Sequence, residues 1–173
     1  MVTAFPVTRG DRRLLIVWHS QTGACEQASE AVASGAMAVD GIEVVRLHAD
    51  LADAEAVLGC AAIVIVASEN LAALSGRIKD FLDRSYYALL GRTEGLPWAS
   101  VICAGSDGEG AQRQLDRIAL GLRWRRVAEP IRLIMDAQTP QAILAPKRLS
   151  PAQHARCSEL GAALAEGLRM GIF

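Results

Sequence analysis

The sequence predicts an α/β fold, a three-layer sandwich with helices on both faces of a five-stranded parallel sheet. Three observations lead there. Continuous apolar runs of strand length, such as Leu14–Trp18 and Ala61–Ala67, belong to strands buried on both faces. They alternate with stretches whose apolar residues recur at helical spacing, which means parallel strands joined by right-handed crossovers. At 173 residues, 51% hydrophobic and 21% charged, the chain has the size and composition of one domain with a full core.

Met1–Arg13 reads as a flexible leader, and residues 14–173 as a single domain without linker or repeat. Leu14–Trp18 is the first strand. In the first helix, Cys25–Val39, the residues Ala28, Ala31, Val32, Gly35, Ala36 and Val39 share one face, small enough to lie close to a neighbour. Ile42–Leu47 is the second strand, Ala52–Leu58 a short helix, and Ala61–Ala67 a central strand. Ser75–Leu90 is the clearest helix, with Ile78, Phe81, Leu82, Tyr86, Leu89 and Leu90 marking one face and Lys79–Asp83 and Asp80–Arg84 paired across one turn. Trp98–Ala104 is the fourth strand. Ala111–Leu122 is a helix with Leu115, Ile118, Ala119 and Leu122 inward. A fifth strand lies within Arg126–Ile134, broken or pushed to an edge by Pro130. Ser150-Pro151 caps and starts the last helix, whose buried side carries Leu160, Leu164 and Leu168.

Composition excludes several classes. A net charge of -1 gives no basis for nucleic-acid binding. The small arginine clusters 9/12/13 and 123/125/126 read as solvated surface. Aromatics are only 5%, so the core is built from Ala, Val, Leu and Ile. Cys25, Cys60, Cys103 and Cys157 form no Cys-x-x-Cys pair and no zinc or iron–sulfur spacing. The leader lacks the apolar segment of a signal peptide, and no run approaches a membrane span. A reduced, cytoplasmic protein without membrane contact is the expectation.

The chemistry lies in the turns that leave the strands at their carboxyl ends, where ligands of such sheets bind. The first, His19-Ser20-Gln21-Thr22-Gly23-Ala24-Cys25, joins a buried strand to a helix N-terminus, which makes an anion site from backbone N–H groups and the helix dipole. It contains no Lys or Arg, unlike a Walker loop, so a phosphate would be held by dipoles. The second, Ser68-Glu69-Asn70-Leu71-Ala72-Ala73, and the third, Gly105-Ser106-Asp107-Gly108-Glu109-Gly110, offer backbone donors and small side chains that suit a flat heterocycle. All three should converge on one cleft. Ser20 and Thr22 also read as helix caps, and His19, alone at a strand end, also reads as structural. Cys25 reads as a redox thiol or as a small residue in a hydroxyl's place. Glu69 is by default a solvated carboxylate. A receiver's phosphoacceptor Asp, a phosphatase's Cys-x5-Arg and a dinucleotide-binding Gly-x-Gly-x-x-Gly are all missing.

With the first turn as a phosphate loop and Ser75–Arg84 as the helix after a second flavin loop, the chain resembles the flavodoxin-like superfamily, in particular its NAD(P)H-dependent FMN reductase and quinone oxidoreductase branch. The resemblance implies that Ser20, Gln21, Thr22, Gly23, Ala24 and Cys25, opened by His19, bind the FMN phosphate. It implies that Ser68, Glu69, Asn70, Leu71, Ala72 and Ala73 line the isoalloxazine. Gly105, Ser106, Asp107, Gly108 and Gly110 would meet its pyrimidine edge or the ribityl chain. Two departures stand out: Cys25 where a Ser or Thr commonly closes the loop, and Ser68-Glu69-Asn70-Leu71 where Pro-Thr and an aromatic are common.

The resemblance further implies an oxidoreductase taking a hydride from NAD(P)H onto FMN and passing electrons to a quinone or other small acceptor. The cofactor would carry the chemistry, so no catalytic side chain is expected. A homodimer or homotetramer is implied, with Tyr86 and Tyr87 at a contact. Two other readings stay open: an electron-carrier flavodoxin, which the near-neutral charge disfavours, and a flavodoxin-like binding or regulatory module without flavin, which the atypical second loop favours.

Overall fold

The computed structural model describes residues 12–173. The leader expected over residues 1–13 falls almost wholly outside the described residues; Arg12 lies in a turn and Arg13 already opens the first strand.

The elements run β1 (Arg13–Trp18), α1 (Ala24–Met37), β2 (Glu43–His48), α2 (Ala54–Leu58), β3 (Ala62–Asn70), β4 (Ala73–Leu74), α3 (Gly76–Leu89), β5 (Pro97–Ala104), α4 (Glu109–Gly121), β6 (Arg125–Arg126), β7 (Ile131–Ile134), α5 (Pro140–Leu144) and α6 (Pro151–Met170). Parallel pairing sets the order β2-β1-β3-β5, with β6 and β7 both beside β5. The expected α/β class and its five parallel positions are present. The fifth position is shared by two short strands, because Pro130 lies between them and offers no N–H to the ladder. Strand order reverses at β1, so the topological switch point lies between the carboxyl ends of β1 and β3.

Period-two alternation divides the core. Leu14, Ile16, Val64 and Val66 pack on the side covered by α1 and α6. Leu15, Val17, Ile63 and Ile65 pack on the side of α2, α3 and α4. The small residues of α1 bring it close to α6 as well as to the sheet. A Cβ on Gly35 would stand 1.9 Å from the Ser158 carbonyl oxygen, and one on Gly161 1.9 Å from that of Val32. Ser150 starts α6 with a capping box, its hydroxyl accepting from the Gln153 N–H while the Gln153 side chain accepts from the Ser150 N–H.

The buried face of α3 is narrower than the six apolar residues expected to mark it. Tyr86 and Leu90, the residue that ends the helix, are exposed at 39% and 49%, and Ser85 takes the inward place between Leu82 and Leu89. Two elements were not expected: β4, which folds back antiparallel on the end of β3, and α5. The pairs Lys79–Asp83 (2.6 Å) and Arg84–Asp80 (2.7 Å) form as expected. Arg84 also donates to the Ala49 and Ala52 carbonyls, tying α3 to the loop after β2. No helix among the described residues is long and apolar enough to cross a membrane.

Candidate functional site

The first loop leaves β1 at Trp18. His19 N–H donates to the Val66 carbonyl (3.2 Å), holding the loop's start to β3. Ser20 Oγ accepts from the Gly23 N–H (3.0 Å), closing a tight turn. Gly23 adopts φ 96°, ψ -14°, a left-handed conformation that a side chain would strain, and α1 begins at Ala24. The helix's first backbone bond comes from Gln27 N–H to the Gly23 carbonyl. The N–H groups of Ala24, Cys25 and Glu26 have no acceptor among the described residues. They are the donors a helix N-terminus offers an anion.

The second loop is a hairpin. β3 continues through Ser68, Glu69 and Asn70, turns at Leu71 and Ala72, and returns as β4 with Glu69 opposite Leu74 and Asn70 opposite Ala73. Leu71 (φ 52°) and Ala72 (φ 58°) are both left-handed, a turn that normally takes Asn-Gly. Each costs on the order of 1–2 kcal/mol in backbone strain. Three hydrogen-bonding groups hold the hairpin. Leu74 N–H donates to Gln114 Oε1 (2.8 Å), and Asn70 Nδ2 donates to Gln21 Oε1 (2.9 Å) across to the first loop. The Glu69 carboxylate accepts from Gly108 N–H (3.2 Å) and Ala111 N–H (3.1 Å) at the start of α4.

Glu69 therefore corrects the sequence reading. Its carboxylate is not simply solvated; it fills the N-terminus of α4 and joins the second loop to the third. Gly110 makes that contact possible, since a Cβ there would stand 2.1 Å from the Ala72 carbonyl oxygen. Asp107 is used in the same turn, with Oδ1 accepting from the Glu109 N–H (2.7 Å).

The three loops enclose one cavity of about 540 Å³ at the switch point. Ser20, Gln21, Thr22, Ala24 and Cys25 line it from the first loop; Ser68, Glu69, Asn70, Leu71 and Ala72 from the second; and Gly105 and Ser106 from the third. Ala73, Asp107, Gly108 and Gly110 do not line it. Ala73 pairs in β4, while the other three build the α4 N-terminus. Gly23 shapes the turn without lining the cavity. His19 also stands apart, its ring 5.5 Å from that of His48. Burial first, and then the neighbouring His48, lower its pKa from 6.5; Asp50 opposes and Arg77 adds to the lowering. Among the described residues no group of three or more His, Cys, Asp or Glu side chains is placed to hold a metal.

Cys25 and Cys103 meet at the cavity floor, both buried. A hydrogen bond to Cys25, then burial, raise the Cys103 thiol well above its usual value. Burial, with Cys103 adding to it and Arg156 opposing, pushes Cys157 up to about 12. Ser68 Oγ is buried and has no hydrogen-bond partner among the described residues. A second, more open groove of about 490 Å³ runs past Lys79, Arg113 and Arg117 and shares only Ala72 with the first.

Sequence reasoning missed the cavity's fourth side. Met135, Ala137, Ile143 and Lys147 line it from the segment between β7 and α6. Met135 N–H donates to the Ala104 carbonyl and Ala137 N–H to that of Gly105. Thr139-Pro140 carried a readable signal: Thr139 Oγ1 caps α5 by accepting from the Ala142 N–H (3.2 Å), with proline in the first turn, as Ser150-Pro151 does for α6.

No family model matches the chain. Over 98 residues it is 30% identical to a flavodoxin of Aquifex aeolicus (strain VF5), a stretch covering 57% of this chain and about half, 51%, of that protein. Among solved structures, a flavodoxin from the domain Archaea superposes with TM-score 0.73 at 16% identity, over 91% of this chain and 99% of that one. The Flv1 flavodiiron core from Synechocystis sp. PCC6803 gives 0.75 at 16%, over 94% of this chain and 37% of that one. A flavodoxin, WrbA-like protein from Agrobacterium tumefaciens gives 0.66 at 17%, over 92% and 98%. At these identities the likeness establishes the fold, and the fold is flavodoxin-like.

Proposed function

We propose that this chain binds FMN in the switch-point cavity and transfers electrons through it, with NAD(P)H as donor and a quinone or other small molecule as acceptor. One observation carries the reading. The three carboxyl-end loops enclose a single cavity whose phosphate-loop N–H groups, on Ala24, Cys25 and Glu26, have no acceptor among the described residues. The unpartnered Ser68 hydroxyl at the same cavity fits a polar ligand too. Its volume is in the range of small-molecule and cofactor pockets.

Bound FMN would supply the hydride and single-electron chemistry. The chain's own residues bind and orient. Ser20, Thr22 and the three N–H groups would hold the phosphate. Ser68 and the hairpin backbone would meet the ring, and Leu71, Met135 and Ile143 would shield it from water in place of an aromatic. Glu69 positions the hairpin by holding α4, and the Asn70–Gln21 bond fixes it to the phosphate loop. Self-association through the exposed Tyr86–Tyr87 surface of α3 belongs to the same proposal, and sedimentation of the purified chain measures it.

A second reading, an electron carrier without its own nucleotide substrate, is favoured by the 98-residue similarity to a flavodoxin. The first experiment is flavin content after incubation with FMN and gel filtration. One FMN per chain supports the site, and a colourless protein removes both readings. Anaerobic NADH and NADPH oxidation with a quinone then separates them: turnover supports the enzyme, whereas a stable semiquinone without turnover supports the carrier.

A further inference from the structure

The first loop has no cation of its own, yet a lysine from far along the chain is among the residues that line its cavity. Lys147 is the only Lys or Arg among the described residues lining it. The backbone around Lys147 is fastened to the loop. Its N–H donates to the Thr22 carbonyl (2.6 Å), and its carbonyl accepts from Gln27 Nε2 (2.8 Å). The same Gln27 amide nitrogen donates to the Gly23 carbonyl (2.9 Å), and Gln27 Oε1 accepts from the Leu149 N–H (3.2 Å). One side chain of α1 thus stitches residues 147–149 onto the turn that starts α1. The Lys147 ammonium meanwhile donates to three carbonyls at the end of α5: Ala142 (2.6 Å), Ile143 (3.0 Å) and Ala145 (2.5 Å).

We infer that Lys147 is the phosphate-specificity residue of this cavity, a strap-borne cation that selects a phosphate ester such as FMN over the uncharged riboflavin. The inference rests on the flavin reading above. An ammonium has three donors, and all three are on neutral carbonyls. A phosphate dianion is a stronger acceptor than a neutral carbonyl, so it competes for them. Ile143 and Ala145 are exposed, so water can replace the ammonium on their carbonyls at little cost. The strap's hold on the loop uses Lys147 backbone groups, so it survives a change of side chain.

The test compares FMN and riboflavin dissociation constants, by flavin fluorescence quenching, for the wild-type chain, Lys147→Met and Lys147→Arg. Inorganic phosphate serves as a flavin-independent probe, read by thermal shift. Loss of one charge-assisted hydrogen bond predicts that Lys147→Met loses about ten- to a hundredfold of FMN affinity with riboflavin affinity unchanged. Lys147→Arg keeps most of the preference. In the wild type, higher salt weakens FMN binding more than in Lys147→Met. Should Lys147→Met fail to fold, Gln27→Ala, which unfastens the strap, is expected to lower the FMN preference in the same way. An unchanged preference in folded Lys147→Met overturns the inference and leaves the flavin site standing. If the wild-type chain binds neither flavin, the flavin reading fails and phosphate decides. A saturable stabilisation by phosphate that Lys147→Met lacks supports the Lys147 site, and its absence in the wild type overturns it.

Discussion

Two helices start behind left-handed glycines, and their N-termini are used in opposite ways. α1 follows Gly23 (φ 96°), and its first N–H groups have no acceptor among the described residues. α4 follows Gly108 (φ 71°), and its first turn is filled from within the chain. Glu69 takes the Gly108 and Ala111 N–H groups, and Asp107 takes that of Glu109. The same local device thus leaves free donors at one helix start and forms an internal staple at the other. What separates them is whether a carboxylate of the chain can reach the helix start. The fold places the hairpin bearing Glu69 against α4, while nothing acidic in the first loop faces α1.

The sharpest way to break the staple is Gly110→Val. The new side chain would collide with the Ala72 carbonyl, which is backbone and cannot step aside. A loss of about 1–3 kcal/mol in urea unfolding is expected, with weaker FMN binding because the hairpin moves. The two glycines should then part company. Gly108→Ala combines φ strain with contacts of 3.2 Å to Ile102 and 3.3 Å to Ala104, and should cost about 2 kcal/mol in the ligand-free chain. Gly23→Ala meets nothing closer than 3.5 Å and should cost about 1 kcal/mol. FMN titration should rank them the other way, with Gly23→Ala the more damaging. An equal effect of both on affinity would show that the helix ends are not used differently.

Glu69→Gln replaces one acceptor oxygen by an NH₂ group facing the N–H donors of α4. About 1–2 kcal/mol of stability should go with it, and the thermal midpoint measures this. Leu71→Asn with Ala72→Gly should raise stability by about 1 kcal/mol, since that pair suits the left-handed hairpin turn. A drop in FMN affinity of the same variant would show that the Leu71 side chain is part of the site. The smallest effect is expected at the start of the open loop. His19 has a lowered pKa in the folded chain, so the unfolded chain binds its proton at higher pH. Its contribution to stability is fully present above about pH 6.5 and is lost as the pH falls through the lowered folded value. His19→Asn should therefore lose less thermal stability than the wild type between pH 7 and pH 5.

The alternation of elements, the two faces of the central strands and the position of the first loop were all legible in the chain, because each is written in residues adjacent or a few positions apart. Leu14 and Ile16 against Leu15 and Val17 is a period of two. Ser20, Gly23 and Ala24 make a turn and a helix start by themselves. The ion pairs of α3 follow from a spacing of four residues. The glycine-rich third loop was legible as a turn, but its purpose was not. Asp107, Gly108 and Gly110 read as ligand contacts; Asp107 caps its own turn at Glu109, while Gly108 and Gly110 meet Glu69 and Ala72 on another loop.

Sequence alone therefore fixed what short-range periodicity and turn chemistry can express: the α/β class, the parallel sheet and the place where its loops should gather. Tertiary structure decided which polar groups in that place are already taken. Glu69 finds its donors 39 and 42 residues away, and Gln27 binds a carbonyl 120 residues away. A hydrogen bond depends on distance and direction in space, and no local spacing encodes which of two helix ends a carboxylate or an ammonium will reach.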